Sequence, residues 1–368
     1  MNQARVELFN PDHEFIGVVE EFVQLTWRRS LWGAGSANLV LPQYSRWVQL
    51  ARDGWVILPP DEDDLAYIVR QFLVSIQGSS VGDLDLTAPG IGSILGNPGR
   101  CVIPPTSSSH DEQNDVPAET AIKHYVSSHA GASAAAERQL PKFTVAADQG
   151  RGANVTVHAR YQPVSDVISD IARSQGIGWD ITYDRAEDQF VFDVVVGTNR
   201  TNSVYFDLAF ESILELSWLR SQIELSTYAY VAGQGTGADR TIVERYVGAA
   251  EPTGFDRREV LIDARDLDNS DALAARGDAR LEGDEDIIEV RVNPRGSFRY
   301  NEQFFLGDLV TIKERTFGIQ TTARVVGVER SIRPASVIPE TVVSLGNPWP
   351  DLEHKIKGDL RRNETGHP

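Results

Sequence analysis

The chain has 368 residues, 41 % of them apolar and 24 % charged, with 35 basic against 53 acidic side chains and a formal net charge of −18. That length predicts two or three domains, and no uninterrupted apolar run approaches the ~18 residues of a membrane-spanning helix. The acidic balance argues against a phosphate-gripping surface, the lone Cys101 against any intrachain disulfide or thiolate metal site, and the seven histidines show no HxxxH spacing.

The opening MNQARVELFNPDHEF lacks a basic patch followed by an apolar run, so no secretory signal is read and folding in the cytoplasm is expected. Apolar residues at 6–9 and 16–19 flank Asn10-Pro11-Asp12-His13, the pattern of a hairpin. Short strands are predicted at 22–29, 37–41, 54–58, 66–75 and 83–88, which together suit a β-sandwich or barrel. Between two of them, the acidic run from Asp61 to Asp64 after Pro59-Pro60 reads as a solvated turn.

Residues 104–117, PPTSSSHDEQNDVP, are polar, Pro/Ser-rich and free of large apolar residues, and are predicted to be an exposed, mobile loop. Residues 118–129 follow as a helix, with Pro117 tolerated in its first turn. Val164, Val167, Ile168 and Ile171 form one apolar stripe of a second helix, opened by Pro163 and capped near Gly176. Strands at 178–183 and 189–196 complete a small α+β unit that interrupts a β-rich chain. Extended structure resumes at 203–208, 213–221, 226–232 and 240–246. Asn269-Ser270-Asp271 supplies an N-cap for a helix at 272–281 that ends near Gly283. Strands at 286–292, 308–313, 323–332 and 340–345 close the series before a charged tail.

Tests for chemistry find little. Gly233-x-Gly235-x-Gly237 follows a strand but leads into another strand, so no helix N-terminus would receive a pyrophosphate, and a turn is the better reading. Gly90-Ile91-Gly92-Ser93-Ile94-Leu95-Gly96 misses that fingerprint by one residue and reads as a loop or short helix start. The acidic run Asp263, Asp266, Asp268, Asp271 fails as a calcium loop: counted from Asp266, Asp271 stands where Gly is required and Gly277 where Glu is required. No GxSxG, HExxH or paired Cys and His is present, and no carboxylate pair stands out for glycoside hydrolysis. Trp27, Trp32, Trp47, Trp55, Trp179, Trp218 and Trp349 are spread singly, which suits core or interface positions better than a sugar groove.

An ordered series of phrases carries a family resemblance. It begins with VELFNPDHEFIGVVEEFVQLTWRRSLWGAGSANLVLP, GWVILPP, AYIVRQFLVS and PGIGSILGNPGRCVIPP. It continues through VTVHARYQPVSDVISDIARSQGIGWDITYD, FVFDVVVGTNRT, VYFDLAFESILELSWLRS, YAYVAGQGTGADRTIVERY and REVLIDARDL to FFLGDLVTIKERTFGIQTTARVVGVERSI. Over roughly Val6 to Asn347 the chain resembles the baseplate hub, or tail-associated, proteins of siphophages, distant relatives of the trimeric central hub of contractile phage baseplates.

The resemblance implies a mainly β fold of two tube-protein-like β-barrels with a smaller inserted α+β domain. The chain then divides into a first barrel (1–103), the polar loop (104–117), the insert (118–197), a second β-rich barrel region with one helix at 269–283 (198–350) and a charged, flexible tail (351–368). The implied role is a structural virion protein at the distal end of the tail, a homotrimer adapting a sixfold tube to a threefold tip. Implied partners are the distal tail protein or tube ring, the tape measure protein and downstream fibre or receptor-binding proteins. Genomic DNA would pass through the channel without specific binding. No catalytic residues, cofactors or metals are implied. The alternatives are the same module in a contractile phage, gene transfer agent or injection particle, and a tail-borne polysaccharide-degrading or carbohydrate-binding protein.

Overall fold

The computed structural model describes residues 5–60, 62, 64–77, 80–219, 225–265, 269–281, 287–334, 336 and 338–346. Expectations about Asp61, Asp63, Asp266, Asp268, Gly283, Trp349 and the tail at 351–368 lie outside the described residues.

The first block contains β1 (Val6–Phe9), β2 (Phe15–Val19), β3 (Gln24–Ser30), β4 (Gly33–Leu41), helix α1 (Arg46–Leu50), β5 (Val56–Leu58), β6 (Tyr67–Ile68), β7 (Gln71–Gln77) and β8 (Ser80–Pro89). A 3-10 turn at Ile91–Leu95 follows, where the glycine pattern predicted a loop or short helix. The expected hairpin forms: β1 and β2 pair antiparallel, and the Asn10 side-chain oxygen accepts from the backbone N–H groups of Asp12 and Glu14. Next come β9 (Asp111–Pro117), α2 (Ala118–His129), β10 (Phe143–Val145), β11 (Asn154–Ala159), α3 (Val164–Ser174), β12 (Gly178–Asp184) and β13 (Gln189–Val195). After them lie β14 (Tyr205–Asp207), β15 (Ile213–Leu219), β16 (Tyr228–Ala232), β17 (Ile242–Tyr246), β18 (Glu259–Asp263), α4 (Ser270–Leu281), β19 (Ile287–Val292), β20 (Leu309–Glu314), β21 (Ile319–Ile332) and β22 (Glu340–Leu345).

The chain divides into two units, residues 1–217 with 289–346, and residues 218–288 with 347–368. In the first unit, strands from both ends of the sequence join one ten-stranded sheet, with β15-β19-β22-β21-β3-β4-β8-β7 as its main path and β14 and β20 beside it. The long β21 makes the junction: its first half pairs with β20, and its second half lies between β22 and β3. The fold is mainly β, as expected. Among the described residues the two expected barrels are not closed, because the main path of the large sheet ends at β15 and β7 without joining them.

A four-stranded sheet, β2-β1-β5-β6, lies between two cores. Ile57 joins Leu8, Leu25, Trp27, Leu39 and Leu86 on one side, while Val56 and Leu58 join Tyr125, Ile168, Trp179 and Phe192 of the insert on the other. A strand buried on both faces reads as an uninterrupted apolar run, which explains Val56-Ile57-Leu58. The insert stacks α2 and α3 on β10-β13-β12. Its cross-connection is tight: a Cβ on Gly178 would stand 2.5 Å from the Leu31 carbonyl oxygen.

The segment 104–117 is not wholly an open loop. Residues 111–117 form β9, which pairs antiparallel with β11 around a register shift. The strand was hidden because its residues, DEQNDVP, are mostly polar and carry no apolar alternation.

The second unit has a three-stranded sheet, β17-β16-β18, with β16 antiparallel to β17 and parallel to β18. Helix α4 covers one face, packing Leu273 and Leu281 on Ala229, Val231, Val243, Val260 and Ile262.

Candidate functional site

Glu62, read from the sequence as part of a solvated turn, is instead buried, with 3 % exposure. Its carboxylate accepts from the Trp27 indole N–H and from Asn301 Nδ2 at 2.9 Å. Arg330 Nη1 lies 3.0 Å from Oε2 and Arg29 Nη1 3.8 Å from Oε1, while Arg29 Nη2 holds Asp180 at 2.6 Å. The Arg330 guanidinium also stacks over Trp27. Burial opposes charge on Arg29, but Asp180 and Glu62 outweigh it and hold the guanidinium well above its ordinary range. Burial pushes the Asp64 carboxyl and the Tyr67 and Tyr300 phenols up.

This cluster joins β3, β12, β21 and the turns at 62 and 301. Its carboxylates face guanidinium groups. The neighbouring cleft, about 370 Å³, is lined by Phe298, Arg299, Tyr300, Asn301, Arg330 and Ile338 among others. Among the described residues that line it Glu302 is the only carboxylate, so these residues do not supply the pair that glycoside hydrolysis requires.

The insert has its own ties. Glu119, fully buried, meets Lys123 Nζ at 2.7 Å and Arg151 Nε at 2.8 Å, and Asp193 binds both cations. Burial works to raise the Glu119 pKa, but the hydrogen bonds from Arg151 and Lys123 prevail and bring it down to about 2. Asp111 bridges His124 and His129, each at 2.8 Å. Here too burial is overcome by the imidazole hydrogen bonds, and the carboxyl lies far below its usual range. Four of the histidines thus gather around α2 and the β9–β11 ribbon, since His110 and His158 also meet there edge to face. Among the described residues no group of three His, Cys, Asp or Glu is placed to hold a metal ion.

Two phrases of the sequence meet in space. Asp308, 2 % exposed, receives Arg200 Nε at 2.6 Å and the N–H groups of Thr198 and Phe305 at 2.7 and 2.9 Å. The backbones touch beside it: a Cβ on Gly197 would stand 1.8 Å from the Gly307 carbonyl oxygen, so only glycine fits.

The residues singled out in the sequence disperse. Gly233, Gly235 and Gly237 turn the chain between β16 and β17, with Gly235 and Gly237 at φ +106° and +58°. Asp263 ends β18 and pairs with Arg240 and Arg265, and Asp271 begins α4. Trp27, Trp47, Trp55 and Trp179 are core residues, Trp32 packs against the core and Trp218 is exposed. Cys101 is exposed. No described helix is long and apolar enough to cross a membrane.

What remains open is surface. The ten-stranded sheet ends in β7, which pairs only with β8 among the described strands and exposes Phe72, Leu73 and Val74 in succession. Such an edge invites another strand.

Residues 5–343 match the family described as Siphovirus ReqiPepy6 Gp37-like protein. No curated protein matches the sequence. Among solved structures, the fold is similar to the 43 kDa tail protein of prophage MuSo2 from Shewanella oneidensis, with a TM-score of 0.60 and 13 % identity over 94 % of this chain and 98 % of that one. It is similar also to the tail protein from Neisseria meningitidis MC58, with a TM-score of 0.54 and 14 % identity over 94 % and 97 % of the two chains. The prophage tail protein gp18 from Listeria monocytogenes EGD-e gives a TM-score of 0.53 at 11 % identity, over 98 % and 100 %.

Proposed function

Because the chain belongs to the Siphovirus ReqiPepy6 Gp37-like protein family, we propose that it is a structural protein of a phage tail, the three-copy hub at the distal tip. The observation that carries the reading is the shared fold, which extends over nearly the whole of this chain and of three tail proteins. The role is exercised through interfaces and not through catalysis. The large ionic clusters are consumed in holding strands together, and the described residues lining the cleft beside them include a single carboxylate, Glu302.

The edge at β7 supports ring formation. Phe72-Leu73-Val74 exposes side chains on both faces of one strand, and an edge of this kind is stable in water when a neighbour covers it. In a closed cyclic assembly, each copy covers the edge of the next with a different surface, and no edge is left over. In such a ring the partners are the tube ring or distal tail protein above, the tape measure protein within and fibre or receptor-binding proteins below. DNA passes an acidic protein without being gripped.

Quantitative mass spectrometry of purified particles tests this reading. Three copies per tail are expected; a copy number in the hundreds would make the chain a tube subunit, and its absence from particles would overturn the proposal.

A further inference from the structure

A cyclic assembly of identical chains needs two different surfaces on each copy, and the β7 edge offers one of them. On its outer face Leu73 lies opposite Asp85 in the β7–β8 ladder, with Asp83 next along β8 on the same side. Leu84, Leu86 and Ala88 alternate with them into the core. Among the described residues neither aspartate meets a cation: Asp85 accepts from the Asn38 side chain and Asp83 from the Gln43 backbone N–H. The patch is apolar at its rim and negative behind it.

A surface of the opposite kind lies at the tip of the β20–β21 hairpin. Phe317 and Phe210 are 78 % and 62 % exposed, and the Arg315 guanidinium lies 5.9 Å over the Phe210 ring. Lys313 lies 6.0 Å over Tyr205 in the same way. Among the described residues neither cation forms a salt bridge, although the chain carries a net charge of −18. Glu314 between them is spent on the N–H groups of Thr316 and Phe317, at 2.8 and 2.6 Å. That tie fixes the tip, and Asn293 fixes the segment bearing Phe210 by donating to the Glu211 carbonyl oxygen at 2.8 Å. Aromatic side chains held in place before contact lose little freedom on burial, which makes them effective anchors.

We propose that the β7 edge of one copy packs against this hairpin tip of the next copy. Phe210 and Phe317 cover Phe72, Leu73 and Val74, while Lys313 and Arg315 meet Asp83 and Asp85. The inference rests on the three-copy reading above and names the two halves of its interface. Complementary charge selects this pairing, since two β7 edges would bring like carboxylates together and two tips would bring cations together. The contact is head to tail, so three copies close a ring with no β7 edge left over.

Sedimentation velocity on two variants of the full chain is the test. Phe72→Asp with Leu73→Asp spoils the edge, and Phe210→Asp with Phe317→Asp spoils the tip; all four side chains are exposed, so the core is untouched. The parent is expected to sediment as a trimer and each variant alone as a monomer. Their equimolar mixture is expected to form a one-to-one dimer, because one intact edge then meets one intact tip. Adding Arg315→Glu to the edge variant should weaken that dimer at least about tenfold. A tip variant that trimerises like the parent, a mixture that stays monomeric, or a parent monomeric at every concentration would overturn the proposal. A second measurement avoids the charged variants: Leu73→Cys with Phe317→Cys, in a Cys101→Ser background, is expected to cross-link between chains on oxidation, and no cross-link would contradict the contact. Three copies per tail in particles that carry the tip variant would overturn this interface and leave the three-copy reading standing.

Discussion

Arg200 Nε lies 2.6 Å from Asp308 Oδ2 across 108 residues of sequence, and the pair closes the point where Gly197 and Gly307 touch. Asp308 is the more deeply buried partner, and two backbone N–H groups also depend on it. Asp308→Ala is expected to cost about 3 kcal/mol, near the lower end for breaking a buried pair because Arg200 keeps some access to water. Urea denaturation of the variant checks the size. Asp308→Asn, which keeps the shape and one acceptor, should recover part of the loss.

Glu62 has a larger network to hold. Its replacement by Gln leaves Arg29 and Arg330 without the central charge, and the single amide oxygen can take the place of only one of the two carboxylate oxygens that accept from Trp27 and Asn301. A loss of about 3–5 kcal/mol is expected. Trp27 fluorescence should report it directly, because the indole donates to the substituted group.

Acid should act first on the insert. The Glu119 pKa of about 2 in the folded chain lies below the ordinary value of 4.5. A depressed folded pKa gives stability that is full above 4.5 and is lost as pH falls toward 2. Asp111, lowered in the same direction against its burial by His124 and His129, adds to that loss. Glu119→Gln should be less stable than the parent at pH 7, and the difference should vanish near the folded pKa. Melting temperatures across that range give the comparison; a constant offset would contradict the assignment.

The β7 edge yields a prediction about association. Phe72→Asp with Leu73→Asp places charge on both faces of an exposed strand, as natural edge strands do to prevent pairing. The double variant is expected to keep the circular dichroism of the parent and to sediment as a monomer where the parent forms trimers.

The sequence was most legible where structure is local. Helix α2 occupies residues 118–129 as read, and α3 presents Val164, Val167, Ile168 and Ile171 to the core as its period requires. Long-range pairing was illegible. Arg330 stands opposite Trp27 in the β21–β3 ladder, and nothing within either strand encodes a partner some 300 residues away. That ladder merges what looked like two separate β blocks into one sheet. Glu62 was missed because an acidic run after two prolines has the composition of a solvated turn. Only Trp27, Arg29, Asn301 and Arg330 brought together by the fold reveal a buried anchor. Arg200 and Asp308 lay in phrases that carried the family resemblance, yet no spacing rule joined them.

The most direct test of the hub assignment is immunogold labelling of intact particles with antibodies against this chain. Gold confined to the end of the tail distal to the capsid is the predicted result. Gold along the whole tube, or none on particles whose epitopes are verified as accessible, would contradict it.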